Sequence, residues 1–262
     1  MKNLKKIVII YIESEKERKE ELVMITKELV NEYFCRQLDY IYNHYSAFCY
    51  HIEGCGSEEF YDEFCSPGRS REKQGMANSS FTTIAGMTRS VFLFSDEENE
   101  EIASHYVLKV NSHRFGNKAA NYNKSEYDMF QTACDRRMQG AFAECWFLEQ
   151  DDGSCFDFSS DEFLIMERAE VDEDSFYISG FREYQSVTGR EVEDNSREYW
   201  DAYNDFRDLD DIDIVFYVFA PFYGDCFTEE LVGMPISDIH SGNVGFLADG
   251  TPVIIDYAGF SI

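Results

Sequence analysis

The chain has 262 residues, enough for one two-lobed domain with an extension or for two small domains, each with a core of its own. Aromatic residues make up 16% of it, with 23 Phe and 17 Tyr, which excludes a disordered chain. A formal net charge of -28 excludes a protein that grips nucleic acid or an anionic membrane through a basic surface.

The charge is also uneven. No Lys follows Lys124, neither Lys nor Arg follows Arg207, and 22 acidic residues stand against five Arg between Glu149 and Asp213. A one-signed field of this size attracts basic partners. It points to a basic protein partner, or to mimicry of DNA charge, beside the plainer reading of a solvated, soluble surface.

The amino terminus carries Lys2, Lys5 and Lys6, then the apolar run Ile7 to Ile12, which Glu13 and Glu15 end. The run is too short for the core of a signal peptide, and no stretch approaches a membrane span. The eight Cys are scattered. Together these predict a cytoplasmic protein with reduced thiols and no membrane partner.

Residues 14–50 read as helix. Glu and Lys alternate at helical spacing, and Leu22, Ile25, Leu29, Val30 and Phe34 recur on one face. Residues 52–78 are loop-like. Cys49, His51, Cys55 and Cys65 are zinc-type ligands at loose spacing, but the plainer reading is buried or idle thiols around a Gly-containing loop.

Strands are predicted at Phe81–Ile84, Ser90–Ser95 and Tyr106–Val110, with an acidic turn from Asp96 to Glu101 joining the last two. A helix follows from about 123 to 138, then strands at Cys145–Leu148 and Phe163–Met166. From Glu170 to about Met234 the chain is acidic and helical. Near the end, Val244–Leu247 and Pro252–Ile255 flank Ala248-Asp249-Gly250. Asp-Gly between apolar runs is a hairpin signal, because both residues tolerate positive φ.

This hairpin separates three polar residues. Asp238 and Asn243 are five apart in Ser237-Asp238-Ile239-His240-Ser241-Gly242-Asn243, as in the catalytic loop D-L-x-x-x-N of kinases. Asp256 ends an apolar run, where the metal-binding Asp of D-F-G belongs. Singly, each reads as a turn or strand-end cap; in this order and around a hairpin, they read as phosphoryl-transfer groups.

Upstream, Val107-Leu108-Lys109-Val110 is similar to V-A-I-K, whose Lys meets the nucleotide phosphates. Glu126, at the start of the next helix, would pair with Lys109; it also reads as a first-turn Glu favouring the helix dipole. In Ile84-Ala85-Gly86-Met87-Thr88-Arg89-Ser90-Val91, Gly86 matches the second glycine of G-x-G-x-x-G-x-V by its distance from Val91. Met166-Glu167-Arg168-Ala169 stands where a hinge offers backbone groups to adenine.

On these residues the segment from about 79 to 262 resembles the protein-kinase-like superfamily. Its 237–243 loop resembles that of the early protein kinases of T7-like bacteriophages. The His two residues after the Asp is also similar to aminoglycoside-phosphotransferase and choline-kinase loops. The resemblance implies an α+β, two-lobed kinase-like fold, ending soon after the D-F-G equivalent. It divides the chain into a helical extension (1–78), an amino-terminal lobe (79–168) and a minimal acidic carboxy-terminal lobe (169–262).

It further implies binding of ATP and Mg²⁺ and transfer of the γ-phosphoryl group to Ser or Thr of a host protein or of the chain itself. Asp238 would be the catalytic residue. Lys109, Glu126, Gly86, Met166 and Arg168 would bind the nucleotide, and Asn243 and Asp256 the metal. The compartment would be the host bacterial cytoplasm if the chain is phage-encoded. The alternatives are an inactive kinase-fold decoy that blocks a basic or DNA-binding host protein, and a small-molecule kinase. The sequence departs from the pattern: H-R-D becomes Ile236-Ser237-Asp238, D-F-G becomes Asp256-Tyr257-Ala258-Gly259, and the chain ends three residues after Gly259, before any activation segment.

Overall fold

A computed structural model of the chain describes residues 25–53, 57–65, 72–76, 78–85, 89–111, 121–150, 154, 156–159, 161–189, 192, 196–232 and 239–257. Its amino-terminal helices are α1 (Lys27–His44), α2 (Ser46–Ile52) and α3 (Ser57–Phe60). Six antiparallel strands follow in the spatial order β1-β2-β3-β4-β6-β5: β1 (Lys73–Gln74), β2 (Ser79–Ala85), β3 (Arg89–Asp96), β4 (Tyr106–Asn111), β5 (Cys145–Phe147) and β6 (Phe163–Glu167). Helix α4 (Glu100–His105) precedes β4, and α5 (Tyr122–Asp135) lies between β4 and β5. Then come α6 (Glu173–Thr188), α7 (Arg197–Arg207), α8 (Asp211–Tyr223) and α9 (Asp225–Val232), and the hairpin of β7 (Val244–Phe246) and β8 (Pro252–Ile254).

The two-residue alternation of the strands explains how both faces of the sheet are buried. Phe92, Phe94, Leu108, Val110, Phe163 and Ile165 share a core with α1 and α2. Val107, Leu164 and Met166, with Val91 and Leu93 beside them, share the other core with α5, the later helices and the hairpin. Rings dominate the first core: Phe34 meets Phe94 edge-on at 5.7 Å, and Phe48 stacks on Phe163 at 6.2 Å. The amino-terminal helices thus roof one face of the sheet.

The predicted strands are present: β2, β3, β4 and β6 run one to three residues longer than expected, β5, β7 and β8 end one residue earlier, and the predicted 123–138 helix is α5. Four expectations change. The segment 52–78, read as loop, holds α3 and β1 and sends Phe60 and Phe64 into the core. The helix expected over 14–50 starts, within the described residues, at the cap Thr26 and breaks at Tyr45, whose backbone is extended. Its buried stripe is Val30, Tyr33, Phe34, Leu38 and Ile41, whereas Leu29 is exposed, because the sheet sets which face of α1 turns inward. The acidic turn is only half of its connection: Asp96 accepts the Glu98 and Asn99 N–H groups at 2.9 and 3.1 Å, and α4 then forms.

The hairpin forms, with Val244 opposite Ile254 and Phe246 opposite Pro252; of the two turn residues only Gly250 takes a positive φ, +83°, while the Asp249 side chain accepts the Thr251 N–H at 2.9 Å. It docks on the segment after β6 through mutual Glu170–Phe246 backbone bonds of 2.8 Å. Gly245 allows that approach: a Cβ there would lie 2.8 Å from the Cβ of Ala169.

Candidate functional site

Lys109 sits in the middle of β4, opposite Val91 on β3 and Leu164 on β6, and is buried. An Asn121 side chain that accepts the Lys124 N–H starts α5, and Asn123 donates to the carbonyls of Lys109 (3.3 Å) and Glu162 (2.7 Å). These bonds tie the start of α5 to β4. They bring Glu126, one turn further along, against Lys109. Lys109 Nζ donates to both Glu126 carboxylate oxygens at 2.9 and 3.0 Å. Glu126 is fully buried in the second turn of α5, so the helix-dipole reading of it is replaced by this ion pair.

The hairpin carries the next group in. Asn243 accepts the Ile255 N–H through its backbone carbonyl at 2.9 Å, which sets the residue after Ile255 beside it. The Ile255 carbonyl accepts from Lys109 Nζ at 2.6 Å, and the Tyr257 N–H donates to Glu126 at 3.3 Å. Asp256 lies between these anchors with its side chain half exposed. Lys109, Glu126 and Asp256 are therefore one cluster, although 146 positions separate Lys109 from Ile255.

A fourth charged group joins them. Arg89, first in β3, donates to Glu126 through Nη1 and to Asp256 through Nη2, the latter at 2.5 Å. Its side chain is only 5% exposed. In the sequence Arg89 stands, counted back from Val91, at the third glycine of the loop pattern, where a cation is not expected. It shares the face of Val91, and Val91 pairs with Lys109. The cluster holds two cations and two carboxylates.

Electrostatics follow from this packing. Burial pulls the Lys109 pKa below its ordinary value, with Glu126 opposing and the like charge of Arg89 adding to the fall. Burial also acts against the charge of Arg89, but Glu126 and Asp256 outweigh it and hold its pKa up. Tyr257, fully buried behind the cluster, donates to the Ala143 carbonyl and to Cys145 Sγ at 3.0 and 3.2 Å. Burial, then the nearby Cys145 and Glu126, raise its pKa well above the usual phenol value.

The other expected site residues fall as follows. Gly86 and Asp238 lie outside the described residues. Met166 is buried in β6 next to Val107 and Cys145. The Arg168 N–H donates to the His105 carbonyl at 2.7 Å and its side chain reaches the Ala103 carbonyl, so it faces α4. His240 accepts the Gly242 N–H at 3.0 Å, a local cap of the turn before Asn243. His51 donates to the Asn111 carbonyl at 2.8 Å and stacks on Phe60 at 3.9 Å. Cys55 lies outside the described residues.

Among the described residues, no three His, Cys, Asp or Glu side chains are grouped to hold a metal ion. Asn243 and Asp256 offer oxygen donors only. That set fits Mg²⁺, which takes one or two carboxylates, keeps several waters and fills its remaining positions with phosphate oxygens. No helix among the described residues is long and apolar enough to cross a membrane.

No protein-family model matches the chain, and no curated protein matches it. Among solved structures, it is similar to the ROP18 kinase domain in complex with AMP-PNP and sucrose, at 16% identity and a TM-score of 0.36. That similarity covers 89% of this chain and 65% of the other.

Proposed function

We propose that the chain binds Mg²⁺·ATP in a kinase-like cleft and transfers the γ-phosphoryl group to Ser or Thr of a protein, a host protein or the chain itself. One observation carries the reading. A buried Lys on a central strand is paired with a Glu on the following helix, and the Asp that follows a hairpin is anchored beside them. Kinase chemistry needs this set, because the reaction is positioning plus neutralisation of phosphate charge.

In this reading Lys109, oriented by Glu126, holds the nucleotide's phosphates. Asp256 and Asn243 hold the metal, which supplies charge neutralisation at the phosphate oxygens. Asp238 orients the acceptor hydroxyl and takes its proton. The backbone from Met166 to Ala169 borders the adenine, and Gly86 lies in the loop over the phosphates. The lobes are an amino-terminal one at 79–168, against whose sheet α1, α2 and β1 of the 1–78 extension pack, and an acidic one at 169–262.

The test is thermal unfolding with and without nucleotide. A ligand that binds only the folded state at 100 times its Kd adds about 2.7 kcal/mol. Mg²⁺·ATP should therefore raise the melting temperature of the wild type, and Asp256→Asn should lose most of the rise. Asp238→Asn should keep it while losing transfer of labelled phosphate. No rise with any nucleotide, with Mg²⁺ or Mn²⁺, overturns the reading.

The surface charge favours a second reading, an acidic decoy for a basic partner. Asp172, Glu173, Asp174, Glu198, Asp201 and Asp205 are all exposed along α6 and α7. Salt screens such a field within about 8 Å at physiological ionic strength. Association with a basic partner should slow steeply as salt rises, and DNA should compete if that partner binds DNA; an association rate indifferent to salt removes this reading.

A further inference from the structure

We infer that Arg89 is an internal cation that occupies the metal's place at Asp256 and must leave this carboxylate before a metal ion or metal–nucleotide complex can bind there. The inference rests on Asp256 being the metal-binding carboxylate of the site proposed above.

Position argues first. Arg89 opens β3 opposite Asn111, on the face that also presents Val91 and Lys109. From there its side chain runs into the cluster rather than to solvent, and 5% of it remains exposed. A buried guanidinium is strongly unfavourable unless its donors meet acceptors of opposite charge. Here the two terminal nitrogens go to two different carboxylates, Glu126 and Asp256.

Stoichiometry argues second. Glu126 already accepts from Lys109 twice and from the Tyr257 N–H. Arg89 is not needed to neutralise it. The contact specific to Arg89 is the one with Asp256, whose side chain is 50% exposed and thus reachable by a dissolved cation. With Arg89 in place the four charges sum to zero without any metal. A dication arriving at Asp256 would meet a guanidinium already bonded to that carboxylate, and the two cations repel. Arg89 and metal are therefore competitors for one carboxylate.

Removing Arg89 does not orphan the buried carboxylate, because Glu126 keeps Lys109. The proper probe is then Mn²⁺ alone, titrated into full-length wild type, Arg89→Ala, Arg89→Gln and the Arg89→Ala/Asp256→Asn double variant, with free Mn²⁺ read by electron paramagnetic resonance. Arg89→Ala should bind Mn²⁺ about 5- to 150-fold more tightly than wild type, the range typical of coupled sites. Arg89→Gln, which keeps a polar side chain but loses the charge and the reach of the guanidinium, should follow it and decides the matter if Arg89→Ala fails to fold. The gain should vanish in the double variant.

Mn²⁺ affinity unchanged or weakened in both single variants, or a gain that survives loss of Asp256, overturns the inference. A parallel titration with Mg²⁺·AMP-PNP separates it from the nucleotide reading. A Mn²⁺ gain at Asp256 with no nucleotide binding by any variant upholds the role of Arg89 and removes the kinase reading. Wild type that binds Mg²⁺·AMP-PNP as tightly as Arg89→Ala and Arg89→Gln does the reverse.

Discussion

Glu126 is the keystone of the charged cluster, and replacing it should be more damaging than replacing either cation. It is fully buried and accepts from Lys109, Arg89 and the Tyr257 N–H. Glu126→Gln leaves two cations, 6% and 5% exposed, facing the half-exposed Asp256 alone. Removing one partner of a buried ion pair costs about 3–5 kcal/mol. For a chain of this size that is a fall in melting temperature of about 6–20 °C.

Lys109→Met is different. It replaces the cation by an apolar chain of similar length, and Glu126 keeps Arg89. The main loss is the donor to the Ile255 carbonyl, about 1–3 kcal/mol. The double variant Lys109→Met/Glu126→Gln should be more stable than Glu126→Gln alone, because it removes one of the two stranded cations. Urea unfolding followed by circular dichroism, with unchanged slope, reads all three. Lys109→Met proving as damaging as Glu126→Gln, or a double variant weaker than both singles, would refute the reasoning.

Other consequences follow from single contacts. Gly245→Ala should destabilise by about 1–3 kcal/mol, since its Cβ would press on the Ala169 Cβ and backbone and push the hairpin off its seat; thermal unfolding measures it. Gly250→Ala should lose about 1 kcal/mol in the same assay through strain at φ +83° alone, because nothing lies within 4 Å of its Cβ. Burial, with Glu126 adding, pushes the Cys145 thiol from 9.0 up to about 12. The unfolded chain therefore gives up this proton first, and stability linked to Cys145 should be constant below pH 9 and fall between about 9 and 12. At pH 9 Cys145 should resist iodoacetamide while the exposed Cys226 reacts, as mass spectrometry of the labelled chain would show.

Local chemistry was enough for the parts of this molecule that depend on near neighbours. Asp249-Gly250 between apolar runs signals a hairpin, and the short β-rich runs Ser90–Ser95 and Tyr106–Val110 signal strands. The spacing of Lys109, Glu126 and Asp256 against known patterns singled out three residues that the fold gathers into one cluster, Lys109 bonded to Glu126 and Asp256 joined to them through Arg89. What depended on surfaces was not legible. The face of α1 that turns inward, with Leu29 left in solvent, is chosen by the aromatic side of the sheet it covers. Helix α4 is too short to announce itself by periodicity, and its start is set by the turn that Asp96 holds. The fourth member of the cluster was the least legible of all. Arg89 and Asp256 are 167 positions apart, and the loop pattern that places Arg89 at its third glycine calls for a glycine there, not for a cation that reaches Asp256. Only the folded sheet and the docked hairpin bring them together, because a guanidinium buried beside two carboxylates is stable where the same side chain, one residue out of register, would point to the opposite face.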